Sequence, residues 1–480
     1  MNSTSPRSTG CLGWLGIVRL GLVQTALGAI VVLTTTVINR VMVVELALPA
    51  LLPGLLVGIH FGVQFTRPHM GHGSDRGGRR TPWIIGGVAV LAIGSVLAAI
   101  GTATIPDSLS LGIGLALVGF VLVGLGVSAA GTSLLVLLAA TVEPRYRGSA
   151  ATTVWIMMIV GFIVTTIVAG AQLDPYTHSR LVVVTAVVSA LAFIVATLAV
   201  SGIERRYPGP GAASTRQADA SDTDEAPQRF ADALASVWAE PAARRFCLFV
   251  FVSMLAYSAQ DLVLEPFAGA VHGFTVGQST TLSGTHHQGV LFGLLLVALA
   301  TARFARRDSI RDSIRDSMQA RVRSVTAPLG SLRFWTLFGC CLSALALALL
   351  GTGAFVPTLA PLTALVLLLG LGNGLFAAGA IGSMMALVGQ GGRRREGVRM
   401  GLWGAAQAIA FGLAGLGATA VVDLARYATG DVRHAYALVF VVQMALFLFA
   451  ALLARGVYRP AQPEIPQPFD HRRAALELNT

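Results

Sequence analysis

Twelve apolar runs, each about the length of a helix that crosses a bilayer, dominate this 480-residue chain. A bilayer core takes about 20 helical residues. The runs lie near residues 17–38, 48–66, 82–102, 110–140, 149–171, 181–202, 244–264, 282–302, 334–352, 358–388, 400–422 and 434–454. Lipid offers no partner for unpaired backbone groups, so such runs must be helices or a closed barrel, and their length selects helices. The expected fold is an all-α integral membrane protein with twelve transmembrane helices in two six-helix pseudo-symmetric halves. Only 12% of residues are charged, against about 25% in a soluble domain. The first run is long enough to span rather than be removed as a signal segment.

The charge of +11 is carried by arginine alone. These arginines gather in the short gaps between apolar runs, which marks orientation rather than a nucleic-acid surface. With both termini placed in the cytoplasm, all but Arg40, Arg180, Arg426 and Arg433 fall on that side. The expected organisation is an N-terminal half over 1–202, a cytoplasmic linker over 203–243, a C-terminal half over 244–456 and a cytoplasmic tail over 457–480. Four cysteines show neither metal spacing nor a disulfide framework. No nucleotide loop, zinc-protease helix or nucleophile elbow is present, and no enzyme activity is expected.

Two halves joined by a linker predict a parallel repeat. Its direct trace is His60-Phe61-Gly62-Val63 in the second run and His287-Gln288-Gly289-Val290 in the eighth. The loop after the second run reads Gly71-His72-Gly73-Ser74-Asp75-Arg76-Gly77-Gly78-Arg79-Arg80. It resembles the cytoplasmic loop signature of the major facilitator superfamily, and Asp75 can accept charge-assisted hydrogen bonds in a gate. The gating candidates are Gly71, Asp75, Arg76, Gly78 and Arg79, with Arg147 in the next cytoplasmic loop and Arg399 as its rough counterpart. A topology signal without gating is the plainer alternative. After the eighth run, residues 307–318 repeat Arg-Asp-Ser three times, each followed by an apolar residue (Ile310, Ile314, Met318), as a surface helix or a tolerated expansion.

Ionisable residues at membrane depth are costly and each needs a reason. Arg40 and Glu45, at the outer end of the first run, can snorkel to the interface or pair with each other. Asp261 and Glu265 are one helical turn apart. His60, His286 and His287 either hydrogen-bond between helices or act as axial ligands to a macrocyclic metal. Gly58, Gly62, Gly284 and Gly289 are expected to leave room for such a macrocycle.

Asn39 to Leu46, Pro53 to Arg80, Ala256 to Phe267 and Leu282 to Gly289 together resemble the PucC/LhaA family, a branch of the major facilitator superfamily found in photosynthetic bacteria. The resemblance implies a membrane factor for assembling light-harvesting antenna complexes, binding or delivering bacteriochlorophyll, with a carotenoid as a further pigment. Its implied partners are antenna polypeptides, pigment-synthesis enzymes and the lipid of the photosynthetic inner membrane. His60, His286, His287, Glu45, Asp261 and Glu265 are the candidate pigment-binding residues, the three histidines as axial ligands and no residue as a direct metal site. The alternative is an alternating-access transporter of a small or amphipathic solute.

Overall fold

The computed structural model describes residues 12–67, 70, 79–143, 146–206, 241–312, 331–356, 361–389 and 396–457. Among them the regular structure is entirely helical. Six helices form the first half: α1 (Trp14–Glu45), α2 (Leu51–Thr66), α3 (Thr81–Thr104), α4 (Leu109–Thr141), α5 (Arg147–Leu173) and α6 (His178–Val200). Six more form the second: α7 (Pro241–His272), α8 (Val276–Asp312), α9 (Leu332–Gly353), α10 (Leu362–Gly389), α11 (Glu396–Thr429) and α12 (Val432–Val457). Eleven contain segments long and apolar enough to cross a membrane, and α2 is a shorter apolar helix. The chain is a multi-pass membrane protein. A one-turn helix, Ile203–Arg206, opens the expected linker; residues 207–240, and the tail beyond Val457, lie outside the described residues. Helix α8 runs through the first unit of the tandem repeat to Asp312 in the second, and the rest of that repeat lies outside the described residues.

Helix α1 departs most from the hydropathy reading. It begins at Trp14 and continues through Asn39 and Arg40 to Glu45, passing two π-helical turns at Leu33–Val37 and Val41–Glu45. Thr34, Thr35 and Thr36 do not break it, because their hydroxyls donate to the carbonyls of Ile30, Val31 and Val32 at 2.7–2.9 Å. A polar stretch that satisfies itself on its own helix costs little in lipid.

Small residues set the packing. Gly87, Gly94 and Gly101 on α3 face Gly126, Gly119 and Gly112 on α4, a seven-residue spacing on both antiparallel helices. A Cβ on Gly94 would lie 2.8 Å from the Gly119 carbonyl oxygen, and one on Gly101 would lie 2.5 Å from the Ala116 nitrogen. Backbones approach this closely only where side chains are absent, and a heptad keeps the seam facing its partner. The halves meet along α5 against α8, α2 against α11 and α1 against α7.

Candidate functional site

The polar centre of the molecule lies where α1 meets α7 and α8, toward the end of the bundle away from the described chain ends, here called the far end. Pro266 sits inside α7. It has no N–H to offer the carbonyl four residues back, and that carbonyl, of Leu262, accepts the Asn39 side-chain amide at 2.8 Å. Arg40 is 1% exposed. Its guanidinium donates to Glu45 Oε1 at 2.5 Å, to Ser279 Oγ at 3.1 Å and to the Phe274 carbonyl at 2.8 Å. The expected Arg40–Glu45 pair forms, but Arg40 does not snorkel: its fork is spent on α8 and the turn before it, and only Glu45 is partly exposed.

Glu265 is fully buried. Its Oε1 accepts the Ser283 hydroxyl of α8 at 2.6 Å, whereas Oε2 has no partner. Asp261, one turn earlier on α7, is half-buried. Two further carboxylates join the halves at the far end. Asp174, after α5, accepts from Thr275 Oγ1 at 2.6 Å and the Gly277 N–H at 3.0 Å, at the start of α8. Asp423, on α11, accepts from the N–H groups of Ala50 and Leu51 at 3.0 and 2.7 Å, at the start of α2. Charged acceptors at helix N-termini satisfy donors that have no intrahelical partner. Neither residue was a sequence candidate, although an aspartate inside the apolar α11 is the same signal that marked Asp261.

The three candidate histidines are buried and differ in their commitments. Arg67 donates to Gln64 Oε1, which turns the Gln64 amide N–H toward His60 Nε2 at 2.9 Å. Asn373 on α10 accepts the Ser343 hydroxyl from α9 at 2.8 Å, and donates to Gln260 Oε1 on α7 at 2.6 Å and to His286 Nε2 at 3.0 Å. Asn373 thereby ties four helices of the second half together. In both cases an amide occupies the ring nitrogen that a metal would need. His287 is arranged differently. Its Nδ1 donates to the Ser283 carbonyl at 2.8 Å, which places the lone pair on Nε2, the arrangement common to metal-binding imidazoles. Its ring stands edge-on to Phe162 of α5, 4.8 Å between centroids. Gly124 of α4 abuts the His60 carbonyl and Gly370 of α10 abuts that of His286. The packing equivalence of the halves therefore pairs His60 with His286, one residue off the shared H-x-G-V.

The glycines do not provide the expected room. A Cβ on Gly58 would meet Leu416 at 3.0 Å, one on Gly284 would meet Thr166 Oγ1 at 2.7 Å, and Gly289 abuts the α10 backbone. These three are helix contacts, and only Gly62 borders open space. An apolar groove of about 480 Å³ lies elsewhere, between α3 and α4, lined by Trp83, Val90, Leu122 and Leu125 among others. Of the gating candidates, Gly71, Asp75, Arg76 and Gly78 lie outside the described residues. Arg79 precedes α3, and the backbones of Arg147 and Arg399 are in the first turns of α5 and α11.

The model of a family described as PUCC protein matches residues 37–314 and 317–462. The chain is 47% identical, over 93% of its length and 96% of the relative's, to the "Bacteriochlorophyll synthase 44.5 kDa chain" of Rhodobacter capsulatus. It is 27% identical to "Protein PucC" of Cereibacter sphaeroides, over 91% of this chain and 90% of that one. Among solved structures it resembles a D-xylose-proton symporter, with a TM-score of 0.65 at 12% identity, covering 91% of this chain and 96% of that one. The nucleoside transporter NupG gives a TM-score of 0.61 at 13% identity, over 93% and 100%. At those identities the likeness is one of fold, the twelve-helix fold of major-facilitator transporters.

Proposed function

Because this chain belongs to the PUCC family, we propose that it is a membrane assembly factor for bacterial light-harvesting complexes that binds bacteriochlorophyll and delivers it to antenna polypeptides. The observation that carries this reading is the 47% identity, over nearly the whole chain, to a protein named for bacteriochlorophyll. That name also contains the word synthase. Family and fold resemble membrane carriers rather than enzymes, and we assign this chain no catalytic step.

Of the three imidazoles, His287 fits a pigment best, since its backbone-anchored Nδ1 leaves Nε2 as the ligating atom. Bacteriochlorophyll held there would supply a magnesium ion able to accept the Nε2 lone pair of His287. His286 and His60 would each have to give up an amide hydrogen bond. The groove between α3 and α4 suits the hydrophobic tail of a pigment or a carotenoid, but it is lined by neither candidate helix of the histidine pair. The proposed location is the photosynthetic inner membrane, and the arginine asymmetry supports an orientation with both termini cytoplasmic.

The test is purification from a bacteriochlorophyll-producing host, with visible absorbance and identification of bound peptides. Co-purified pigment or antenna polypeptide is expected. Absence of both, together with solute uptake by protein-containing liposomes, would replace this reading with a transporter; turnover of a prenyl diphosphate would replace it with an enzyme.

A further inference from the structure

We propose that Glu265 is an intramembrane proton-binding site, occupied by a proton while α1 is docked on α7 and α8. The argument begins with charge. The groups facing this point are Arg40 and Glu45 from α1, Asp261 and Glu265 from α7, Tyr257 beside Asp261, Tyr176 near Glu45, Tyr436 of α12 near Arg40, and His286 and His287 on α8. Arg40 is the cation that acts on Glu265 itself, while Arg426 lies near Tyr436 together with Asp423, and Glu45 already takes Arg40 at 2.5 Å. Two carboxyl groups remain in a region where an uncompensated charge is among the most expensive things a protein can hold.

Hydrogen bonding points the same way. Ser283 spends its hydroxyl hydrogen on Glu265 Oε1. The Thr36 hydroxyl faces both Glu265 and the Val32 carbonyl, the latter at 2.7 Å, and its single hydrogen can serve only one of them. Glu265 Oε2 and Asn39 Oδ1 are both buried acceptors without a donor. They belong to facing helices already tied together one turn away by the Asn39–Leu262 bond. One proton on Oε2 turns an acceptor without a donor into a hydroxyl that can itself donate, and removes the surplus charge. A bare metal ion fits less well. Two orphan oxygens fall short of a hard cation's usual six or more ligands, and the described residues hold no cluster of three metal-ligating side chains.

The consequence is functional. Protonation keeps α1 seated against α7 and α8, whereas loss of the proton leaves a buried carboxylate that drives the helices apart or draws water in. The inter-half contact is then sensitive to proton supply, whatever solute or pigment the protein handles. The experiment is infrared spectroscopy of the purified full-length protein in lipid, reading the carbonyl band of protonated carboxyl groups and its shift in heavy water. The band is expected in the parent and in Asp261→Asn, and its loss is expected in Glu265→Gln. That variant retains the shape of the side chain and the bond from Ser283, so it should fold. A band unchanged in Glu265→Gln, no such band in the folded parent, or a band abolished by sodium at constant pH would each overturn the proposal.

Discussion

Asp174 and Asp423 play matching parts in the two halves: Asp174 directly follows the fifth helix of the first half, Asp423 lies within the fifth helix of the second, and each caps the second helix of the other half. Together they make a two-fold latch at the far end, with the Arg40 fork between α1 and α8 as its third member. Hydrogen bonds to a charged acceptor contribute about 1.5–3 kcal/mol each. Asp174→Ala and Asp423→Ala are each expected to lower the thermal midpoint of the solubilised protein by several degrees. Asp107→Ala, in a turn exposed at the same end, should leave it unchanged. Equal midpoints for all three would mean that the latch contributes nothing to stability.

The histidines separate into structural and ligand-ready groups. His286→Phe removes the acceptor that Asn373 needs and introduces a larger ring into a buried junction, so it should lose folded protein as well as pigment. His287→Phe gives up a ring nitrogen bonded only to its own helix and should retain the fold while losing co-purified pigment. Size-exclusion profiles read the first effect and visible absorbance the second. Full pigment in a folded His287→Phe protein would transfer the ligand role to another residue.

The α3–α4 seam should reject any side chain. Gly94→Leu and Gly119→Leu drive atoms into facing backbone, which cannot rotate away, at a cost of at least about 1–3 kcal/mol each. Gly114, on the same α4 helix, has open space where a Cβ would go, and Gly114→Leu should be tolerated. The fraction of monodisperse protein after solubilisation discriminates between them.

Glu204 supplies a pH-dependent contribution outside the membrane. Burial works to raise its pKa, but it accepts from the N–H groups of Arg80 and Thr81 and from the Thr81 hydroxyl at 2.8–3.0 Å, beside the Arg80 charge, and the net effect holds its carboxyl below the usual range. A depressed folded pKa means stability that is fully present above the unfolded value of about 4.5 and is lost as pH falls through the folded one. The midpoint difference between parent and Glu204→Gln should be largest near neutral pH and shrink in acid. A difference independent of pH would assign Glu204 a packing role only.

Hydropathy located the twelve helices because burial in lipid is written into every residue of a span. It stopped α1 too early, at Ile38, since counting apolar residues cannot see that Asn39 and Arg40 find buried partners on α7, on α8 and in Glu45. The glycines beside the histidines were legible as small residues but not as contacts: whether a missing side chain makes a hole or a seam depends on the partner helix, which lies far away in sequence. The polar candidates in α1, α7 and α8 were found because each is an ionisable group at membrane depth, and the structure gathers Arg40, Glu45 and Glu265 at one junction. Asn373 and Gln260, neutral and isolated in apolar runs, gave too weak a signal to single out.

The bond from Asn39 to the Leu262 carbonyl has a bearing on how this sequence can drift. The acceptor is main chain, so position 262 is free to exchange one apolar side chain for another without touching the contact. Position 266 is not. Restoring an N–H there gives the carbonyl back to its own helix and leaves the Asn39 amide stranded in a lipid-like interior. Asn39 and Pro266 are thus a single unit inherited across two halves of the molecule, 227 positions apart, and substitution of one creates pressure to replace the other.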